Sequence, residues 1–111
     1  MNKKHIGGSF FDDVKKWEER DPDFRRRVNE AVEKRKLAAM LKEIRKKEHL
    51  TQEELAQKAN VTQSVIARIE GGTAKGLPRF DVFNRIVAAA GYEMSILAKK
   101  KGKRIQVAFS G

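Results

Sequence analysis

Four side chains in this sequence have the types and spacing to do chemistry: Thr62, Gln63, Ser64 and Arg68. They fall in the stretch Leu50 to Gly72, LTQEELAQKANVTQSVIARIEGG, where helical periodicity puts them on an outer face away from Ile66 and Ile69. Hydroxyls, an amide and a guanidinium make a poor core. They are well suited to hydrogen-bonding the edges of nucleic-acid bases.

The same stretch carries the signals that would hold such a face in place. Thr51 with Glu54 fits the S/T-x-x-E capping box, which satisfies orphan N–H groups at a helix start. Thr62 is a second N-cap residue. Asn60 stands where a left-handed residue is needed between two helices, and asparagine tolerates that conformation. Gly71 and Gly72 end the second helix. Leu55, Ala56, Ala59, Val61, Ile66 and Ile69 can close one small core.

Charge points the same way. The chain has 111 residues, 36% of them charged, with a net charge of +10. That excess favours a polyanionic partner, nucleic acid ahead of an acidic protein or membrane surface. Cysteine is absent, which excludes disulfides, thiol catalysis and cysteine-ligated zinc. Lys3, Lys4 and His5 have no apolar segment behind them, and no apolar run approaches the ~20 residues of a membrane span. A cytoplasmic protein without membrane contact is expected. No glycine-rich phosphate loop appears, and His5 and His49 lack ligand-spaced partners. We therefore expect no enzyme, catalytic residue, metal or cofactor.

Taken in order, residues 1–8 read as a tail. Ser9 can cap a short helix on which Phe10, Val14 and Trp17 form an apolar stripe widened by Phe11. Asp21-Pro22 begins a helix running to about Glu48, since proline suits the first turn. Its apolar residues form two faces, Phe24, Val28, Ala31 and Val32 against Leu37, Met40, Leu41 and Ile44, pointing in roughly opposite directions. Either the helix breaks in the charged run Glu33-Lys34-Arg35-Lys36, or one long helix serves two partners. A further core helix is expected near Arg79–Ala90, with Phe80, Phe83, Ile86, Val87 and Ala90 on its apolar face and Gly91 past its end. The period then switches to two. Met94, Ile96 and Ala98, then Ile105, Val107 and Phe109, flank Lys100-Lys101-Gly102-Lys103 and predict a β-hairpin. A lone hairpin is marginal in water, so its apolar face must rest on the helices, a second chain or a partner. The expected layout is a helical extension over 1–36, a helical domain over 37–91 and a hairpin over 92–111.

The segment LKEIRKKEHLTQEELAQKANVTQSVIARIEGG, followed by LPRF and the helix to Gly91, resembles the helix-turn-helix domain of phage Cro and CI repressors and their bacterial relatives (the XRE family). The resemblance implies a mainly α, lambda-repressor-like bundle whose second motif helix enters the major groove of double-stranded operator DNA, usually as a homodimer. Carried across, Gln63, Ser64 and Arg68 match base-reading positions, with glutamine suited to adenine and arginine to guanine. Gln52 matches a phosphate contact that can brace the next glutamine. Thr62 and the backbone of Arg79 and Phe80 match further phosphate contacts, and Lys75 is a nearby cation. Arg45 and Glu70 match a structural salt bridge. The chain departs from one repressor pattern by an extra residue, Gly76, and by Thr73 and Leu77 in place of loop cations.

The wider layout, a leading helix pair containing DPDF, then the motif, then strands after AAAGYEM, looks like HigA-type antitoxins of type II toxin–antitoxin modules. That resemblance implies an autorepressor that also neutralises a RelE/HigB-like ribonuclease toxin. Phe10, Phe11, Val14, Trp17, Phe24 and Val28 would then face the toxin or a dimer mate, or the hairpin would add a strand to the toxin's sheet. The competing readings are a stand-alone phage-like or bacterial regulator and an adaptor that no longer reads DNA.

Overall fold

The computed structural model of the chain describes residues 21–110. The expected Ser9 helix, with Phe10, Phe11, Val14 and Trp17, lies outside them. Among the described residues there are four helices, α1 (Pro22–Lys47), α2 (Gln52–Ala59), α3 (Gln63–Gly71) and α4 (Phe80–Ala89). Two strands follow, β1 (Met94–Lys100) and β2 (Lys103–Phe109). The expected mainly helical bundle with a C-terminal hairpin is present.

The chain divides into two compact units, residues 1–33 and residues 34–111. In the first, Asp21 opens α1 by accepting the backbone N–H of Asp23 at 3.0 Å. Arg26 pairs with Asp23 at 3.1 Å and Arg27 with Asp21 at 3.8 Å. All four side chains are mostly exposed, so these pairs contribute little stability. Phe24 and Val28 are half-buried, whereas Ala31 and Val32 are exposed. α1 is unbroken through Glu33-Lys34-Arg35-Lys36, which removes the alternative of two separate helices. That run has no glycine or proline, and its residues are straight-chain helix formers.

In the second unit, Leu41, Leu55, Ile66, Ile86 and Val87 are fully buried and surrounded by Ile44, Ala56, Ala59, Ile69, Phe83 and Ala90. Val61 packs on this cluster from its edge. Two expected core residues lie elsewhere. Met40 is exposed, and Ala38 is buried instead, because Ala38, Leu41 and Ile44 recur every three residues along one stripe. Phe80 is also exposed; as the first residue of α4 it precedes the buried face and meets Phe109 edge-on, with ring centroids 4.8 Å apart.

Two residues past the end of α1, His49 takes a left-handed φ of 57° while its N–H donates to the Lys46 carbonyl. The Leu50 N–H reaches back to the Arg45 carbonyl at 3.1 Å, closing the helix end. α4 ends with Ala90 as its cap and Gly91 at φ 93° beyond it. The hairpin register pairs Met94 with Phe109, Ile96 with Val107 and Ala98 with Ile105, so the alternating apolar residues share one face. Only its root is covered. Met94 packs on the core, Phe109 on Phe80, and the Asn84 side-chain amide donates to the Ser110 carbonyl at 3.3 Å. Ile96, Ile105 and Val107 remain at least half exposed.

Because Leu55 is fully buried where α2 meets α3 and α4, Leu55→Ala should cost about 2–5 kcal/mol in urea denaturation. A loss below about 1 kcal/mol would contradict the packing described.

Candidate nucleic-acid interface

α2 and α3 meet through capped ends that fix their relative direction. The Thr51 hydroxyl accepts the Glu54 N–H at 3.0 Å, and the Glu54 carboxylate accepts the Thr51 N–H at 2.8 Å. These bonds with Thr51 lower the Glu54 pKa. Asn60 closes α2 at φ 57° and ψ 45°. Two residues later the Thr62 hydroxyl accepts the Val65 N–H at 3.4 Å and starts α3. The helices are short, eight and nine residues, so caps and packing hold them rather than propensity.

Ile66 and Ile69 plug α3 into the core. Thr62, Gln63, Ser64 and Arg68 are exposed on the remaining surface. The Arg68 Nε donates to the Ser64 carbonyl at 3.2 Å, which lays the side chain back along the helix. Its two terminal amino groups keep the fork geometry that matches a guanine edge.

Behind this face lies an ion pair. Arg45 Nε meets Glu70 Oε2 at 2.7 Å and Arg45 Nη2 meets Glu70 Oε1 at 2.9 Å. The Glu70 side chain is 2% exposed and that of Arg45 14%. Arg45 Nη1 also donates to the Leu50 carbonyl at 2.9 Å, and the Gln52 amide donates to Glu70 Oε1 at 3.3 Å. The cluster ties together α1, the loop before α2, α2 and the end of α3. Burial alone would raise the Glu70 pKa, but hydrogen bonds from Arg45 and Gln52 and the guanidinium charge outweigh it and hold the carboxyl below its ordinary value. The bond to Glu70 raises the Arg45 pKa against the opposing effect of burial.

Gln52 is therefore half-buried against Glu70. Its amide braces the ion pair, and among the described residues no hydrogen bond joins it to Gln63. Past α3, Arg68, Lys75 and Arg79 line one shallow depression with Val65, Leu77 and Pro78. Arg79 spends part of its charge on Asp81 at 3.1 Å. Arg79 precedes α4 without a side-chain cap, and within the first turn the Asp81 carboxylate accepts the Val82 N–H at 2.9 Å, leaving the N–H groups of Phe80 and Asp81 without a partner among the described residues. Two stabilising contacts had no signal in the sequence: the left-handed His49, and the Tyr92 hydroxyl donating to Glu48 at 3.1 Å, which raises the tyrosine pKa. Both depend on where α1 stops.

A family model described as helix-turn-helix matches residues 41–97, just over half of the 111 residues. The chain belongs to the helix-turn-helix family. The matched span holds α2, α3, α4 and the start of the hairpin. This is the domain of a DNA-binding transcriptional regulator, and its partner is double-stranded DNA. No curated protein and no solved structure matches the chain. Among the described residues, no helix is long and apolar enough to cross a membrane, and no cluster of three potential ligands could hold a metal ion.

Removing one member of a buried pair strands the other. Glu70→Ala should therefore cost about 3–5 kcal/mol, and replacing Arg45 and Glu70 together by Met and Leu should recover most of it. Because the Glu70 pKa is lowered on folding, its stabilisation is complete above the unfolded-state value and is lost as pH falls through the folded one. Urea midpoints followed from neutral pH into acid should fall more steeply for wild type than for Glu70→Gln. Parallel curves would contradict this assignment.

Proposed function

We propose that this chain is a sequence-specific transcriptional repressor that reads operator DNA through α3. The observation that carries the reading is the division of α3 into two faces. One is locked in the core by Ile66 and Ile69, and the other presents Gln63, Ser64 and Arg68 to solvent. Gln63 and Ser64 open the helix, where a helix entering the major groove touches base edges. Gln63 pairs with adenine and Arg68 with guanine. Thr62, Lys75, and the backbone at Arg79 and Phe80 hold phosphates on either side and set the register. Gln52 reaches a phosphate only by sharing its amide with Glu70. A symmetric dimer places two such helices ~34–36 Å apart to meet successive grooves on one face of the duplex.

A second activity, antitoxin of a type II toxin–antitoxin pair, is favoured by the open hairpin. Ile96, Ile105 and Val107 are 50%, 71% and 51% exposed on one face, and both strand edges are unpaired among the described residues. An exposed edge with an apolar face takes up an added strand. In this reading the chain neutralises a RelE/HigB-like ribonuclease toxin and represses the operon encoding both. Phe10, Phe11, Val14, Trp17, Phe24 and Val28 supply further toxin or dimer contacts. The alternative is a stand-alone regulator, in which the same surfaces only join two copies.

Gln63→Ala and Arg68→Ala should each weaken binding to a duplex selected from a random library by about 1–3 kcal/mol and relax preference at one position per half-site. Equal losses on scrambled duplex would contradict base reading. Co-expression with a neighbouring-gene ribonuclease should relieve growth arrest, and Ile105→Ser with Val107→Ser should abolish relief while DNA binding persists. Arrest unaffected by the wild-type chain would leave the stand-alone regulator.

A further inference from the structure

We propose that the tip of the hairpin is a second, sequence-independent DNA contact that seats between the two phosphate rows of the duplex beside the site read by α3. The inference rests on the chain being a DNA binder and adds an element that the helix-turn-helix motif does not contain.

Lys99, Lys100, Lys101, Lys103 and Arg104 occupy the end of the ribbon, and all five are exposed. They amount to +5 of the chain's +10, and residues 94–111 contain no aspartate or glutamate. The register sets like charges directly across from one another, Lys99 opposite Arg104 and Lys100 opposite Lys103. Such pairs lie about 4.5–5.5 Å apart at Cβ and destabilise a hairpin. Among the described residues none of the five has a carboxylate partner. The free protein therefore carries a local repulsion that a polyanion would relieve.

The distribution over the two faces selects the kind of polyanion. Alternation places Lys100 and Lys103 on the face of Ile96 and Ile105, and Lys99 and Arg104 on the opposite face, with Lys101 in the turn. A flat anionic surface would engage one pair and leave the other in solvent. Duplex DNA offers phosphates on both walls of a groove, and the ≈ 12 Å major groove admits a two-stranded ribbon. Seven-residue strands carry the tip about 20 Å from the root fixed at Met94 and Phe109, so its charges stand well clear of the helical core. The contact gives affinity and register without reading sequence.

The test is a salt titration of DNA affinity, on the selected duplex and on a scrambled one, with full-length protein. In the variant Lys99→Gln, Lys101→Gln, Arg104→Gln, the log–log slope should drop by about 2 to 3 on both duplexes, at ~0.9 per phosphate lost. Raising salt from 50 to 200 mM should then cost the variant about 40-fold less affinity than it costs wild type. The ratio of selected to scrambled affinity should stay unchanged. A second variant, Lys99→Glu with Lys100→Glu, creates attractive cross-strand pairs. It should melt at or above the wild-type temperature and still lose the slope, separating charge from folding. Wild-type slopes in both variants would overturn the proposal, as would a loss confined to vesicles of phosphatidylglycerol. Gln63→Ala and Arg68→Ala report separately on the motif. If they leave the selected-to-scrambled ratio unchanged, base reading by α3 fails whatever the tip does.

Discussion

The fold of the second unit depends on one buried carboxylate. Glu70 sits at the end of α3 with its side chain 2% exposed, in a domain too small to tolerate an unpaired charge. Arg45 meets it with two hydrogen bonds and gives a third to the Leu50 carbonyl, and Gln52 supplies a fourth bond to the cluster. Three helices and a loop must be correctly placed for those bonds to form together. An apolar pair of similar volume would recover most of the stability they give. What the ion pair adds is direction, because a guanidinium fork accepts a carboxylate in few geometries. That fixes the end of α3 against α1 and α2, and so the orientation of the polar face at its start.

The consequence is a division of labour along a nine-residue helix. Its last turn is anchored electrostatically, its middle is plugged by Ile66 and Ile69, and its first turn is held by the Thr62 cap. Gln63, Ser64 and Arg68 contribute nothing to the core and are carried by groups that do. Rigid support of this kind lowers the ordering cost of binding. The cations at Lys75 and Arg79 flank the same region as Arg68, so a group suited to bases and groups suited to phosphates lie close together.

Most of the motif was legible in the sequence because its signals are local. The Thr51–Glu54 box, the Thr62 cap, left-handed Asn60 and the glycines that end α3 each encode geometry within four residues. The strand register followed from alternation, since slipping Ile96 or Val107 by one residue would exchange the two faces. Errors arose where tertiary context decides. Met40 and Phe80 have the right character for core residues, but neighbours along the same helix, Ala38 and Phe83, occupy the buried stripe. The left-handed turn at His49 was not legible either, because no glycine or asparagine marks it and the turn is stabilised by where α1 must stop. The exposure of Ile96, Ile105 and Val107 could not be read from pattern alone. Alternation marks an apolar face without saying what covers it.

The central claim is that α3 reads the major groove through Gln63, Ser64 and Arg68. Methylation interference tests it most directly, because methyl groups at guanine N7 obstruct the major groove and those at adenine N3 the minor groove. For the wild-type protein on its selected duplex, guanine N7 methylation should block binding at one position per half-site, and that block should vanish in Arg68→Ala. Interference confined to adenine N3, or a guanine block that persists without Arg68, would contradict the account.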